Sequence, residues 1–213
     1  MQQTLLKMLS ACPLVPVLVI DDIDDALPLA EALLAGGINI MEITLRSDVA
    51  MNAIALILEK YPEMLVGAGT VVNDTQLKEL AHIGAHFAIS PGITRRLLES
   101  SIALNIPLLP GVSNVSDVLL GLEYDFKLFK FFPAEAAGGV KTLKAFHGPF
   151  PAIKFCPTGG VTEDNMSEYL ALPNVVAIGG SWLAPKHIVE NHQWPEITSA
   201  AKKALLPLHQ TLV

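Results

Sequence analysis

The sequence predicts an α/β protein, a single-domain (β/α)₈ TIM barrel that spans residues 1–213. Three observations favour this fold. Short apolar runs alternate with helix-like segments, roughly every 20 to 25 residues. Eight such pairs fit into the chain, which is close to the minimum length of a barrel. No linker or low-complexity segment interrupts the alternation, so we expect one domain.

The predicted strands are apolar runs bounded by polar or turn residues, as is typical of buried parallel strands. In chain order they are LVPVLVI (14–20), INIMEITL (38–45), LVGAGT (65–70), FAIS (87–90), PLLPGV (107–112), LFKFFP (128–133), AIKFCPTG (152–159) and VVAIGG (175–180).

The predicted helices lie after these strands, and several follow an Asn, Asp, Ser or Thr that can cap them. In chain order they are DDALPLAEALLAGG (24–37), SDVAMNAIALILEK (47–60), NDTQLKELAHIG (73–84), TRRLLESSIALN (94–105), NVSDVLLGLEY (114–124), GGVKTLKAF (138–146), TEDNMSEYLAL (162–172) and WPEITSAAKKALL (194–206). An open doubly wound sheet is the competing fold. It would need a glycine fingerprint after the first strand, where this chain has DDIDD (21–25).

Composition argues against several classes of function. The net charge is −7 and no basic cluster occurs, which argues against a nucleic-acid partner. The longest apolar runs are too short to span a membrane, and the N-terminus lacks the basic region of a signal peptide. The two cysteines have no paired spacing, which favours a reducing compartment. We therefore expect a cytoplasmic location.

In a barrel, functional side chains lie at the carboxyl ends of the strands. Glu42, Thr44 and Arg46 share one face of the second strand, while the other face is apolar. Because the apolar face suits the helix layer, the polar face is expected to point into the barrel. Lys130 alternates with Phe129 and Phe131 in the sixth strand and is expected to point inward as well.

These residue types suit Schiff-base chemistry on a carbonyl substrate. A lysine among apolar neighbours loses hydration of its charged form, which frees the amine as a nucleophile. The Glu42 carboxylate supplies a general base or acid, and the Arg46 guanidinium can bind a carboxylate. An internal salt bridge of Glu42 with Lys130 or Arg46 is an equally good interpretation of the pattern. Lys154 is the rival candidate for the nucleophile.

Glycine pairs follow the last two predicted strands, as Thr158-Gly159-Gly160 and Gly179-Gly180-Ser181. Backbone N–H groups can approach an anion where side chains are absent, and barrels often bind phosphate at this position. The pairs therefore predict a phosphate site, although ordinary turns also use Gly-Gly.

No metal site is predicted. Gly84 separates His82 from His86, and no third ligand accompanies them. The acidic run 21–25 is interpreted as a solvated turn before a helix.

Six motifs together resemble the bacterial 2-keto-3-deoxy-6-phosphogluconate (KDPG) and 4-hydroxy-2-oxoglutarate aldolases over essentially the whole chain. They are GINIMEITLR (37–46), GAGT (67–70), SPG (90–92), FKFFPAE (129–135), PTGG (157–160) and GGSW (179–182). One departure is Asp125, where the family often has glycine. It is expected before the sixth strand, away from the chemistry.

The resemblance implies a role for each candidate residue. Lys130 would form the Schiff base and Glu42 would transfer protons, while Arg46 and Thr70 would hold the pyruvyl carboxylate. The phosphate would be surrounded by Thr158, Gly159, Gly160, Gly180 and Ser181. The resemblance also implies a cofactor-independent class I aldolase of the Entner–Doudoroff pathway, and a homotrimer.

Other functions stay open. A sibling family that acts on the 6-phosphogalactonate analogue keeps the same lysine and glutamate, so the sequence leaves the preferred configuration at C4 undecided. A barrel isomerase or synthase could use Lys130 as an electrostatic stabiliser. A non-catalytic phosphosugar-binding protein is disfavoured, because it has no use for a buried base and amine.

Overall fold

The computed structural model of the chain describes residues 1–210, which form parallel strands surrounded by helices. The strands are β1 (Leu14–Leu18), β2 (Ile40–Thr44), β3 (Leu65–Gly69), β4 (Phe87–Ile89), β5 (Leu108–Leu109), β6 (Gly111–Val112), β7 (Leu128–Phe131), β8 (Lys154–Pro157) and β9 (Ile178–Gly180).

The helices of the described residues include the eight that the sequence predicts. They are α1 (Gln2–Ala11), α2 (Ala26–Ala35), α3 (Ala50–Lys60), α4 (Asp74–His82), α5 (Arg95–Ala103), α6 (Val115–Leu122), α7 (Gly139–His147), α8 (Met166–Leu170), α9 (Lys186–Glu190) and α10 (Trp194–Gln210). A 3₁₀ turn, Ile23–Asp25, leads into α2.

Hydrogen bonds between neighbouring strands close the sheet into a barrel. One group of strands has the order β5-β4-β3-β2-β1-β9 and the other has the order β6-β7-β8. β5 and β6 flank Pro110, which has no N–H to donate, and together they occupy the fifth barrel position. On the other side, the bridge between Thr158 and Gly179 joins β8 to β9. The ring therefore has eight positions, and the predicted (β/α)₈ barrel is confirmed.

Two helices were not among the sequence predictions. In α1, Leu5 and Leu9 are fully buried one turn apart, and the Gln2 side chain accepts a hydrogen bond from Leu128 N–H at 3.0 Å. Because Leu128 begins β7, α1 covers the amino-terminal end of the barrel. The second helix, α9, is a five-residue helix after Pro185, too short to show a helical period.

Residues 211–213 lie outside the described residues. The prediction that one domain spans residues 1–213 includes them, and it stays a prediction.

Aromatic packing fixes the direction of the side chains in β7. Phe131 packs edge to face against Phe146 of α7, with the ring centroids 6.0 Å apart. Phe129 lies 6.3 Å from Phe155 of β8. Both aromatic residues of β7 therefore face outward, and the alternation of the strand turns Lys130 into the barrel.

Candidate active site

Lys130 of β7 and Glu42 of β2 meet inside the barrel. The Lys130 Nζ atom lies 3.1 Å from Glu42 Oε1 and 3.5 Å from Oε2. Only 5% of Lys130 and 1% of Glu42 are exposed, so the pair is shielded from solvent. Both side chains have the inward direction that strand alternation predicts.

Glycine on the neighbouring strand provides the space for Glu42. β2 and β3 pair in register, with Glu42 opposite Gly67 and Thr44 opposite Gly69. A Cβ atom on Gly69 would overlap the Glu42 carboxylate. The GAGT motif therefore keeps a side chain out of the position that the carboxylate occupies.

The contact between Lys130 and Glu42 is also the internal salt bridge that the sequence analysis gave as an alternative to catalysis. A buried ion pair is weak evidence for stability, because the loss of hydration offsets much of the attraction. The Glu42 carboxylate is nevertheless close enough to exchange a proton with the Lys130 amine. The geometry thus permits both a structural ion pair and a catalytic pair.

Cys156 of β8 lies beside this pair, opposite Lys130 in the register of β7 and β8. Burial raises the pKa of the Cys156 thiol to about 12. Lys130 lowers that pKa and Glu42 raises it by smaller amounts. The thiol therefore stays protonated at neutral pH and acts as a small neutral neighbour of the lysine.

Arg46 and Thr70 come together at the carboxyl ends of β2 and β3. The Arg46 Nε–H donates a hydrogen bond to Thr70 Oγ1 at 3.3 Å. Thr70 has a φ of 59°, an uncommon conformation for a residue other than glycine. Such strained residues often occur in functional loops.

A cavity of about 150 Å³, which we call the inner cavity, lies at the carboxyl ends of the strands. Its lining contains most of the predicted binding residues, namely Arg46, Thr158, Gly159, Gly160, Gly180 and Ser181. Gly159 and Gly160 have φ values of 96° and 80°, a conformation that favours glycine. The structure therefore brings the two glycine pairs and the arginine to one cavity.

Phe132 is a site residue that the sequence reasoning missed. Its ring centroid lies 5.3 Å from Lys130 Nζ, and the ring also lines the inner cavity. It therefore connects the lysine with the cavity. The alternation that turns Lys130 inward places Phe132 on the same face, and this signal was available in the sequence.

Glu135 and Tyr169 form a second pair that the sequence did not indicate. The Tyr169 hydroxyl donates a hydrogen bond to Glu135 Oε1. Burial, and secondarily this bond to Glu135, raise the pKa of Tyr169. A Cβ atom on Gly160 would overlap the Glu135 side chain, so the pair packs against the glycine turn at the inner cavity.

The rival lysine lies elsewhere. Lys154 begins β8, and its Nζ donates a hydrogen bond to the carbonyl of Pro173 at 2.7 Å. This position is at the amino-terminal end of the strand, away from the inner cavity.

Residues 1–210 contain no group of three or more His, Cys, Asp or Glu side chains that could hold a metal ion. His86 instead accepts a hydrogen bond from Val66 N–H through Nδ1. Among the same residues, no helix combines the length and the apolar character needed to cross a membrane.

Comparisons with known proteins show the family of this chain. The chain is 50% identical over 199 residues to the KHG/KDPG aldolase of Escherichia coli strain K12, covering 93% of each chain. It is 50% identical to the 2-dehydro-3-deoxy-phosphogluconate aldolase of Dickeya dadantii, again covering 93% of each chain.

The structure is also similar to a crystal structure of KDPG aldolase from Legionella pneumophila, in which pyruvate was captured as a covalent carbinolamine intermediate. The TM-score is 0.92 and the identity 49%, covering 93% of this chain and 97% of that one. A family model described as KDPG and KHG aldolase matches residues 5–200. The chain therefore belongs to the KDPG and KHG aldolase family.

Proposed function

We propose that this protein is a class I aldolase that cleaves 2-keto-3-deoxy-6-phosphogluconate to pyruvate and glyceraldehyde 3-phosphate. It would also cleave 4-hydroxy-2-oxoglutarate to pyruvate and glyoxylate. The observation that carries the proposal is the buried contact between Lys130 and Glu42 beside the inner cavity. The names of the relatives support the same substrates.

Substrate binding follows from the residues around the inner cavity. Arg46 and Thr70 hold the carboxylate next to the ketone, since a guanidinium donates parallel hydrogen bonds to a carboxylate. The other end of the substrate carries the phosphate, which lies against Thr158, Gly159, Gly160, Gly180 and Ser181. Glycine backbone N–H groups can approach phosphate oxygens closely.

The lysine begins the reaction. Glu42 takes a proton from the Lys130 ammonium, and the neutral amine attacks the C2 ketone of the substrate. Glu42 then returns this proton to the carbinolamine hydroxyl, which leaves as water, and a protonated imine remains. The imine withdraws electrons from C3, which is the role of a metal ion in other aldolases, so we expect no cofactor.

The glutamate completes the reaction. Glu42 accepts the proton of the C4 hydroxyl while the C3–C4 bond breaks, and the bonding electrons move into the imine to form an enamine. Glyceraldehyde 3-phosphate leaves with its new aldehyde. Protonation of the enamine at C3 and hydrolysis of the imine then release pyruvate and restore the amine.

Borohydride reduction in the presence of pyruvate tests the proposal. Only an imine is trapped as a stable adduct, so mass spectrometry should find a reduced pyruvyl group on Lys130. Lys130→Ala should abolish the adduct and nearly all turnover, whereas Lys154→Ala should retain both. An adduct on Lys154, or active enzyme with no adduct, contradicts the proposal. A protein that only binds phosphosugars would give neither an adduct nor turnover in this assay.

The preferred configuration at C4 can be determined by comparing turnover of the gluconate and galactonate epimers, and we expect the gluconate series to be preferred.

A cytoplasmic location accords with Cys12 and Cys156, which are both free and buried thiols.

We also propose a homotrimer. Val72, Ile102, Val115 and Leu119 are each more than 40% exposed. They lie on or beside α4, α5 and α6, which are consecutive helices. We call these four residues the apolar patch, and it offers a surface for a second copy of the chain.

A further inference from the structure

A second cavity, which we call the outer cavity, adjoins the inner one. Its volume is about 460 Å³, and it shares Val17, Val19, Gly160, Val161 and Ser181 with the inner cavity. Its lining also includes Lys186, at the start of α9. The outer cavity therefore extends from the glycine turns toward a lysine that the function proposed above does not use.

Lys186 is held by carboxylates from two segments. Its Nζ lies 2.7 Å from Asp21 Oδ2, in the acidic run after β1, and 3.6 Å from Glu190 Oε1, one turn along α9. The side chain is 62% exposed. Asp21, followed by Glu190, raises the pKa of Lys186, so the ammonium remains charged at neutral pH.

The charges of the substrate favour a cation at this end. The substrate carries a carboxylate and a phosphate ester, and a phosphate has about −1.5 to −2 charge at neutral pH. Among the described residues that line the two cavities, the cationic side chains are Arg46 and Lys186. Arg46 contacts Thr70 and is assigned to the carboxylate. The glycine turns supply N–H groups but no full positive charge.

We propose that Lys186 is a specificity residue for the phosphate end of the substrate, and that Asp21 is its counterion in the free enzyme. The inference rests on the function proposed above. On binding, the ammonium exchanges the Asp21 carboxylate for the phosphate group beside Gly160 and Ser181. The exchange is favourable because an exposed ion pair contributes little, while phosphate carries the greater charge.

The decisive experiment compares 2-keto-3-deoxy-6-phosphogluconate with the same sugar acid lacking phosphate. Lys186→Met keeps the length of the side chain and removes its charge. We expect KM for the phosphorylated substrate to rise roughly three- to tenfold, with kcat unchanged. The KM for the unphosphorylated substrate should not change, and competitive inhibition by inorganic phosphate should weaken.

A matched control is Lys60→Met. Lys60 is also an exposed lysine paired with a carboxylate, Glu59, but it ends α3 and lines neither cavity. It should leave both KM values unchanged. Equal effects of Lys186→Met on the two substrates, or no effect on either, would overturn the inference.

Asp21→Asn gives an independent test. It removes the competing carboxylate, so the KM for the phosphorylated substrate should fall when Lys186 is present. It should have no effect in the Lys186→Met background. An equal effect in both backgrounds would exclude exchange between Asp21 and phosphate. Failure of the proposed aldolase function is distinguishable from failure of the Lys186 inference, because the unmodified protein would then release pyruvate from neither substrate.

Discussion

At the scale of single residues, the candidate chemistry depends on the contact between Lys130 and Glu42. Strand alternation predicted that both side chains face the barrel, because a charged residue between outward-facing phenylalanines can only face inward. It did not predict which side chains would pair. The same rule would have identified Phe132. Lys186 and Tyr169 could not be found this way, since they lie on short helices whose contacts depend on distant parts of the chain.

Glu42→Gln tests whether Glu42 acts by proton transfer or only by filling its position. The amide keeps the size of the side chain but cannot accept the C4 hydroxyl proton, so we expect kcat to fall roughly 10²–10⁴-fold. Pyruvate release measured by a coupled dehydrogenase assay checks this. A kcat within threefold of the unmodified protein would assign Glu42 to a structural ion pair.

Gly69→Ala tests whether the position of the carboxylate matters. The new Cβ atom would overlap Glu42, and the carboxylate has to move away from Lys130. A displacement of about 1 Å can reduce turnover by about 10²-fold, so kcat should fall by that order.

Gly148→Ala is the control for this substitution. Its Cβ atom would make only an ordinary contact, at 3.7 Å, with the carbonyl of Ala145. Gly148 follows α7, at the end of the barrel opposite the cavities. Unchanged activity of Gly69→Ala would show that Glu42 does not need its observed position.

At the scale of elements, the regular βα units were predictable, whereas α1, α9 and the break between β5 and β6 were not. Eight apolar runs and eight helical patterns were found because each shows a period or a cap. For example, the Asn73, Thr94 and Asn114 side chains accept hydrogen bonds at the starts of α4, α5 and α6. The break between β5 and β6 at Pro110 is a property of backbone hydrogen bonding, which an apolar pattern does not show.

The helix α1 should stabilise the barrel without contributing to the chemistry. Leu9→Ala removes a fully buried side chain, and such changes cost about 2–5 kcal/mol. We expect the midpoint of urea unfolding to fall, while kcat of the folded protein stays the same. Lys7→Ala, on the exposed side of the same helix, should change the free energy of unfolding by less than about 0.5 kcal/mol. Equal stability of the two variants would show that α1 does not cap the barrel.

At the scale of the whole molecule, net charge and local charge act in opposite directions. The chain has a net charge of −7, which repels an anionic substrate over distances up to about a Debye length. Arg46 and Lys186 nevertheless place cationic groups at the two cavities. The composition therefore argued against a nucleic-acid partner without arguing against a phosphorylated substrate.

The proposed homotrimer depends on the surface of the molecule, and we expect the apolar patch to form its interface. Its residues lie on elements that are already tied together, since Arg96 binds Asp74 at 2.7 Å between α5 and α4. Arg95 also binds Glu123 at 2.9 Å, between α5 and the end of α6.

Leu119→Lys is expected to dissociate the trimer. Leu119 is 51% exposed in the isolated chain, and a lysine buried against a second copy would lose hydration without gaining a partner. Sedimentation equilibrium should give three times the 22.8 kDa of the chain for the unmodified protein, and a value close to one chain for the variant. Leu206→Lys is the matched control, because Leu206 is 62% exposed on α10, which packs on α2 at another side of the barrel. A trimer that persists in Leu119→Lys, or that is lost in Leu206→Lys, would place the interface elsewhere.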